Sequence, residues 1–240
     1  MKKIFLWLWL LAGIGSMAVA QSPYAMQGDR VILGTSGTGS GSRFYIYTPT
    51  YAAKAIYRTE QEATNEYPEL LMSSILCADT QSWYNANILP SSGLRKEMDA
   101  SYFSKVKNMN REETYYDLAC KFEFNNQGEE MAIVKFYIHI SKSQSFSGVY
   151  VMQKEGNRWY RTATPFTTEL ALLIMSFDQN KLQQVFRGKP TGAKRADDLI
   201  SKVKLSDGSI SIDKLLAVYK KWQQEQDKTS LDYFKDPKAW

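Results

Sequence analysis

The residue with the clearest chemical potential is His139, the single histidine of this 240-residue chain. It shares one face of an alternating segment with Tyr137, while Tyr115 and Asp117 share one face of the preceding alternating segment. A histidine within reach of a carboxylate such as Asp117 could act as a general base. The alternative is an ordinary histidine at the surface or rim of a domain. Spacing alone places no acid or nucleophile beside His139, so we predict candidate pocket or binding residues here and no catalytic residue.

Aromatic side chains are the second source of candidates. The chain has 15 tyrosines, 11 phenylalanines and six tryptophans, and several of them, including Trp159 and Tyr160, fall on or near predicted strands. An aromatic-lined concave sheet could bind a small apolar ligand or a protein partner. The alternative is the packed core of a large domain with tyrosine hydroxyls at its rim. Trp159 and Tyr160 therefore join the candidate pocket or binding residues.

The cysteines and the histidine are too few for a zinc site. Two cysteines, Cys77 and Cys120, and one histidine match no four-ligand spacing, so we predict no metal and no cofactor. In an oxidising compartment a Cys77–Cys120 disulfide would form, and this is one alternative. The other is two separate small hydrophobic residues, because free cysteine is usually buried.

The first 20 residues have the pattern of a secretory signal peptide. Lys2 and Lys3 make the start positive, Ile4–Leu11 are apolar, and Ser16–Ala20 end in a site of the A-x-A type. The apolar stretch is shorter than the roughly 20 residues that a membrane-spanning helix needs. We therefore predict cleavage before Gln21 and a bacterial protein that is periplasmic or secreted, with no membrane span after cleavage.

The charge balance argues against a nucleic-acid partner. The formal net charge is +5, and Lys2 and Lys3 in the predicted signal peptide supply two of these charges. So small an excess, spread over a whole domain, creates no strong field. The sequence therefore predicts no nucleic-acid binding.

The central part of the chain has the pattern of an antiparallel sheet. Residues 21–48 form a Gly/Ser-rich lead, and helices are predicted at Tyr67–Cys77 and Asp79–Leu89. Four strands should follow, with a polar loop at Ser141–Ser147: Thr114–Phe124, Met131–Ile140, Gly148–Lys154 and Arg158–Thr164. Strict alternation places the apolar residues of the first strand on one face. We predict an α+β domain over residues 49–187, with a meander of at least four antiparallel strands packed against flanking helices.

Residues 188–240 are predicted to form a C-terminal helical segment after a linker at Gly188–Gly192. Its last helix carries Tyr219 and Trp222 on an apolar stripe, and Trp240 ends an aromatic tail. Such a stripe must pack on its own domain, on another copy or on a partner. Tyr219, Trp222 and Trp240 are therefore candidate interaction residues.

The order of elements over residues 60–165 resembles that of NTF2-like (cystatin-like) domains. The likeness lies in the two helices before the meander and in the closing hairpin Val149–Tyr160, with its polar turn and its single tryptophan. The resemblance implies a curved sheet, and enzymes of that superfamily place Asp, His or Tyr in a cone-shaped pocket. No family motif matches residue by residue, so no site is transferred.

These observations together predict a class of function. Export, weak charge, many aromatics and the lack of a catalytic pattern favour a non-enzymatic binding or assembly protein of the bacterial cell envelope. Its partner would be another envelope protein or a small apolar ligand. The alternative is a small-ligand-binding protein or an enzyme with an NTF2-like pocket around His139.

Overall fold

A six-stranded antiparallel sheet forms the centre of the structure, a computed structural model that describes residues 27–30, 42–141, 144–206 and 210–225. The strands neighbour one another in chain order, so the sheet is a meander. They are β1 (Gln27–Arg30), β2 (Arg43–Lys54), β3 (Tyr115–Asn126), β4 (Glu129–Ser141), β5 (Gln144–Glu155) and β6 (Arg158–Arg161). Helices cover both faces. The predicted α+β fold is confirmed.

Two strands are longer than the sequence pattern predicts. β2 begins within the predicted lead, and β5 begins at Gln144, inside the predicted loop Ser141–Ser147. Along this segment, β5 pairs with β4 from Gln144, which lies opposite Ser141, through Phe146, which lies opposite Ile138. Pairing with a neighbouring strand, rather than local hydrophobicity, makes such a polar segment a strand. The loop prediction was therefore wrong over most of its length.

A bulge in β3 divides its apolar residues between two faces. Leu118 pairs with Phe136 and Cys120 with Lys135, so Ala119 is the extra residue. The residues before and after the bulge enter different cores: Tyr116 and Leu118 on one side, Cys120, Phe122 and Phe124 on the other. The prediction of one continuous apolar face was wrong, because alternation in one strand does not reveal a bulge.

Three helices precede β3, and the first of them covers the face of Leu118. They are α1 (Pro68–Cys77), α2 (Gln81–Ala86) and α3 (Ala100–Lys107), after a single 3-10 turn at Glu60–Glu62. Proline is tolerated in the first turn of α1 because the N–H that it lacks would have no acceptor within the helix there. The Thr80 side chain caps α2 by accepting a hydrogen bond from the Trp83 N–H. Leu71 and Met72 of α1 pack against the sheet.

Helices that follow β6 cover the opposite face: α4 (Pro165–Ser176), α5 (Gln179–Phe186), α6 (Lys194–Val203) and α7 (Ile212–Glu225). Thr164 and Thr167 form a capping box at the start of α4. The apolar stripe of α7, including Leu215 and Leu216, is buried in the same core as the sheet residue Phe122. The described part of the C-terminal segment therefore packs on its own chain.

Candidate functional site

Four of the predicted site residues lie together on one face of the sheet. Tyr115 of β3 pairs with His139 of β4, and Asp117 pairs with Tyr137. Tyr137 and His139 continue the row of β4 that contains Lys135, on the side of the C-terminal helices. The bulge in β3 leaves Tyr115 and Asp117 on that same side. Strand pairing thus assembles the group that the sequence could only suggest.

The helical cover of this face ends beside Tyr137. Lys135 Nζ donates a hydrogen bond to the carbonyl oxygen of Phe177, which lies between α4 and α5. Tyr137 is the next residue of β4 on this face, and His139 follows it. The side chains of His139 and Asp117 are 28% and 23% exposed. The group therefore lies at the boundary of the helical layer and is open to solvent.

Tyr115 and His139 form a stacked pair. Their ring centroids are 4.5 Å apart and their planes differ by 12°. Nε2 of His139 lies 3.7 Å from Oδ2 of Asp117, which is beyond hydrogen-bond distance. The Asp117 carboxylate therefore attracts the imidazole of His139 when that ring is protonated. It does not form the hydrogen bond that would orient a neutral imidazole as a general base. This geometry suits the recognition of a ring or a polar group more than proton transfer.

Tyr137 contributes a neutral hydroxyl to the group. Burial raises the pKa of Tyr137, and the negative charges of Asp178 and Asp117 raise it further. The phenol therefore stays protonated at physiological pH and can donate or accept a hydrogen bond. A phenolate nucleophile is disfavoured at this position.

The same end of the sheet carries exposed apolar side chains. Ile56, Ile140 and Phe146 are the large hydrophobic residues exposed in the described chain, at 57%, 47% and 57%. Ile56 follows the end of β2, Ile140 lies near the end of β4 and Phe146 lies near the start of β5. We call these three residues, together with Tyr115, Asp117, Tyr137 and His139, the open end of the sheet. Phe146 pairs with Ile138 and so lies on the face opposite to that of His139, which leaves exposed side chains on both faces at this end.

The outer edge of β5 is also unpaired at the open end. Within the described ranges, β6 pairs with β5 only from Met152 to Glu155. The segment Ser145–Tyr150 thus has β4 on one side and no described strand on the other. It contains neither charge nor proline, the usual protections of an edge strand. Its free backbone groups can pair with an added strand.

Trp159 and Tyr160 do not belong to the open end. They lie on β6 and pair with Lys154 and Gln153 at the far end of β5. Trp159 is buried against the sheet and α1, and Tyr160 lines a surface cleft with Arg158. About eight residues of β4, or about 26 Å, separate the two ends.

The candidate interaction residues of the C-terminal segment divide differently. Tyr219 is 2% exposed, and its hydroxyl forms a 2.7 Å hydrogen bond with the hydroxyl of Ser176. It is therefore a core residue that joins α7 to α4. Trp222 lies on α7, but its side chain is outside the described part, as is the whole of Trp240.

Both cysteines are free and buried. Cys77 packs with the cluster around α2, whereas Cys120 packs with the C-terminal helices. The structure therefore has separate thiols, the second of the two alternatives that the sequence leaves open. Burial raises the pKa of Cys120 to about 12 and also raises that of Cys77. Neither thiol is poised to act as a nucleophile.

The described ranges contain no group of three or more His, Cys, Asp or Glu side chains that could hold a metal ion. Among the helices described, none combines the length and the hydropathy required to cross a membrane.

Comparison with protein-family models, curated proteins and solved structures found no match for this chain. The resemblance to NTF2-like domains therefore stays a prediction.

Sequence reasoning missed two parts of the surface. The exposed Phe146 and the first half of the free edge of β5 lie in a segment predicted as loop, although Ser145 and Ser147 flank Phe146 in strand-like alternation. The arginines of the cleft, Arg95 and Arg158, lie far apart in sequence, and no local pattern relates them.

Proposed function

We propose that this protein is an exported, non-enzymatic binding or assembly protein of the bacterial cell envelope that engages a partner through the open end of its sheet. The observation that carries the proposal is the coincidence of features there. The exposed residues Ile56, Ile140 and Phe146 lie at the same end as the stacked Tyr115–His139 pair. Exposed apolar groups beside aromatic and polar ones are typical of protein interfaces.

The unpaired edge suggests the class of partner. Ser145–Tyr150 can accept an extended polypeptide as an additional strand, whose backbone would supply affinity. Side chains of such a strand would contact Phe146 on one face and Ser145 and Ser147 on the other, with His139 one strand away from them. An extended segment of an envelope protein is therefore the partner that this surface fits.

The proposed location depends on the first 20 residues. Their charged start, apolar stretch and A-x-A end support export to the periplasm or the medium. N-terminal sequencing of the protein purified from its native host tests this part. A mature chain that starts at Gln21 supports export, and a cytoplasmic chain that keeps Met1 contradicts it.

A pocket-based function is the second candidate. The approach of Asp117 to His139 at 3.7 Å favours it, because ligand binding could shorten this contact. It would make the protein a small-ligand carrier or an enzyme of the NTF2-like type. On this alternative, His139→Ala should abolish ligand turnover or binding while Phe146→Lys leaves it intact.

Site-specific photocrosslinking in intact cells tests the partner-binding proposal. A photoreactive residue at position 146 should capture one defined envelope protein, and the same residue at the exposed position 202 on α6 should not. Capture by a photoreactive residue at position 147 should fall greatly when Phe146→Lys is added, because a charge opposes apolar contact. Equal capture at positions 146 and 202, or none at position 146, would contradict the proposal.

A further inference from the structure

A surface cleft far from the open end combines two arginines with an aromatic ring. Its volume is about 430 Å³. Arg95, Arg158 and Tyr160 line it, together with Glu60 and the apolar residues Ala86 and Pro90. A volume of this order suits a small molecule. The guanidinium of Arg158 lies over the ring of Tyr160, with 6.0 Å from Cζ to the ring centroid.

Buried asparagines hold the walls of this cleft together. Asn65 Nδ2 donates a 3.0 Å hydrogen bond to Asn87 Oδ1, and both side chains are almost fully buried. Backbone N–H groups of β6 bind the same two residues: Trp159 donates to the Asn65 carbonyl and Arg161 to the Asn87 carbonyl, each at 2.8 Å. The strand that carries Arg158 is thereby fixed against the end of α2. A rigid frame of this kind preorganises a binding site.

Both arginines keep donors that the described chain does not use. Arg95 Nη2 donates to the carbonyl oxygens of Asn85 and Ile88, each at 3.2 Å, which anchors the guanidinium at the cleft. Arg158 Nε is buried and has no hydrogen-bond partner among the described residues. No described carboxylate oxygen lies within 4.0 Å of either guanidinium. Because neither guanidinium has a carboxylate partner among the described residues, an external anion would complete the site.

We infer that this cleft binds a small molecule through an oxyanion, a carboxylate or a phosphate group. The planar fork of arginine matches the oxygens of either group and forms charge-assisted hydrogen bonds with them. Two positive groups face the single negative charge of Glu60, so the cleft attracts an anion despite that carboxylate. The inference is independent of the partner surface, because the cleft shares no residue with the open end.

NMR titration of the full-length protein tests this inference. Inorganic phosphate and succinate are added separately, with sodium chloride at matched ionic strength, while the Nε–H resonances of Arg95 and Arg158 are recorded. We expect a saturable shift of the Arg158 resonance with at least one probe. A response to phosphate alone assigns a phosphate ligand, and a response to succinate alone assigns a carboxylate. Arg158→Gln and Arg95→Gln should each weaken binding about tenfold or more, because each removes charge-assisted hydrogen bonds.

Two control variants make the test specific. Glu60→Gln should tighten binding, since it removes the negative charge from the cleft. Lys202→Gln removes a surface charge on α6 and should leave the affinity unchanged. If Arg158→Gln alters the fold, as judged by its spectrum, Arg95→Gln alone decides. Binding weaker than about 10 mM with both probes, or equal affinity in wild type and both arginine variants, would overturn the inference.

Discussion

The ammonium group of Lys121 lies 2.9 Å from Oε1 of Glu69, and both side chains are completely buried. This ion pair joins β3 to α1 in the core. The hydroxyl of Tyr47 donates a hydrogen bond to the same carboxylate oxygen, and Glu123 lies 2.8 Å from Lys121. Burial and the charge of Glu69 raise the pKa of Tyr47 well above its usual value. The cluster is a polar connection inside an otherwise apolar layer.

Replacing Lys121 by methionine should lower the free energy of unfolding by about 3–5 kcal/mol, because Glu69 is left as a buried charge without its cation. Urea unfolding followed by circular dichroism measures the loss. The double variant Lys121→Met/Glu69→Leu should lose much less than the sum of the two single variants, since it removes both charges. Strictly additive losses would show that the two residues are not coupled.

Gly148 should not tolerate a side chain. A Cβ atom there would lie 2.6 Å from Cζ of Phe136, whose ring is held between those of Tyr116 and Tyr150. We expect Gly148→Ala to reduce stability by about 1–3 kcal/mol through overpacking.

Thermal and urea unfolding of matched glycine variants check this prediction. Gly93 is the control, because a Cβ there meets no atom within 4 Å. Adding Phe136→Leu to Gly148→Ala should recover part of the loss, because it removes the atom that clashes. A Gly148→Ala protein as stable as Gly93→Ala would refute the overpacking.

Both thiols should be protected from a thiol reagent in the folded protein and should both be detected in the denatured protein. Cys77 and Cys120 are free and have 0% exposure, so the folded protein purified without reductant should react with a thiol reagent only very slowly. The same protein in denaturant should release two thiols per chain. A count of zero under denaturing conditions would reveal a disulfide instead.

Stability should depend on alkaline pH through Cys120. Burial raises the pKa of its thiol from 9.0 to about 12. Between pH 9 and about pH 12 the Cys120 thiol keeps its proton in the folded chain and loses it in the unfolded chain. The contribution of this thiol to the free energy of unfolding is therefore complete below pH 9 and is lost as the pH rises toward about 12. Relative to Cys120→Ala, the wild type should therefore lose stability as the pH rises from about 8 to about 10.5. Urea unfolding under reducing conditions measures both proteins, and a constant difference between them would contradict the prediction.

Helix α7 should stabilise the fold. Leu215 is fully buried in the core that α7 shares with the sheet. Leu215→Ala should cost about 2–5 kcal/mol, because it leaves a cavity. Its exposed neighbour provides the control, since Lys214→Ala should change stability by no more than about 0.5 kcal/mol. If both variants unfold at the same urea concentration, α7 does not stabilise the core as its packing indicates.

The local hydrophobic pattern was sufficient to predict which segments form most of the helices and strands. The predicted strand Met131–Ile140 lies within β4, and the predicted helix Tyr67–Cys77 contains α1. Apolar residues that recur every 2 or 3.6 residues indicate which side of a strand or helix is buried, and this pattern is visible within a short segment of sequence. The same alternation correctly predicted that His139 and Tyr137 share one face of β4, because no bulge separates the two residues.

Long-range pairing decided the rest. The bulge at Ala119 depends on how β3 aligns with β4, and it alone separates Cys120 from Leu118. The exposure of Phe146 and the distance of Tyr160 from His139 likewise follow from which segments of β5 meet β4 and β6. The sequence alone thus determined elements and their buried faces only where burial repeats locally. The surfaces available for binding were decided by the tertiary structure, because they depend on which neighbours cover each strand.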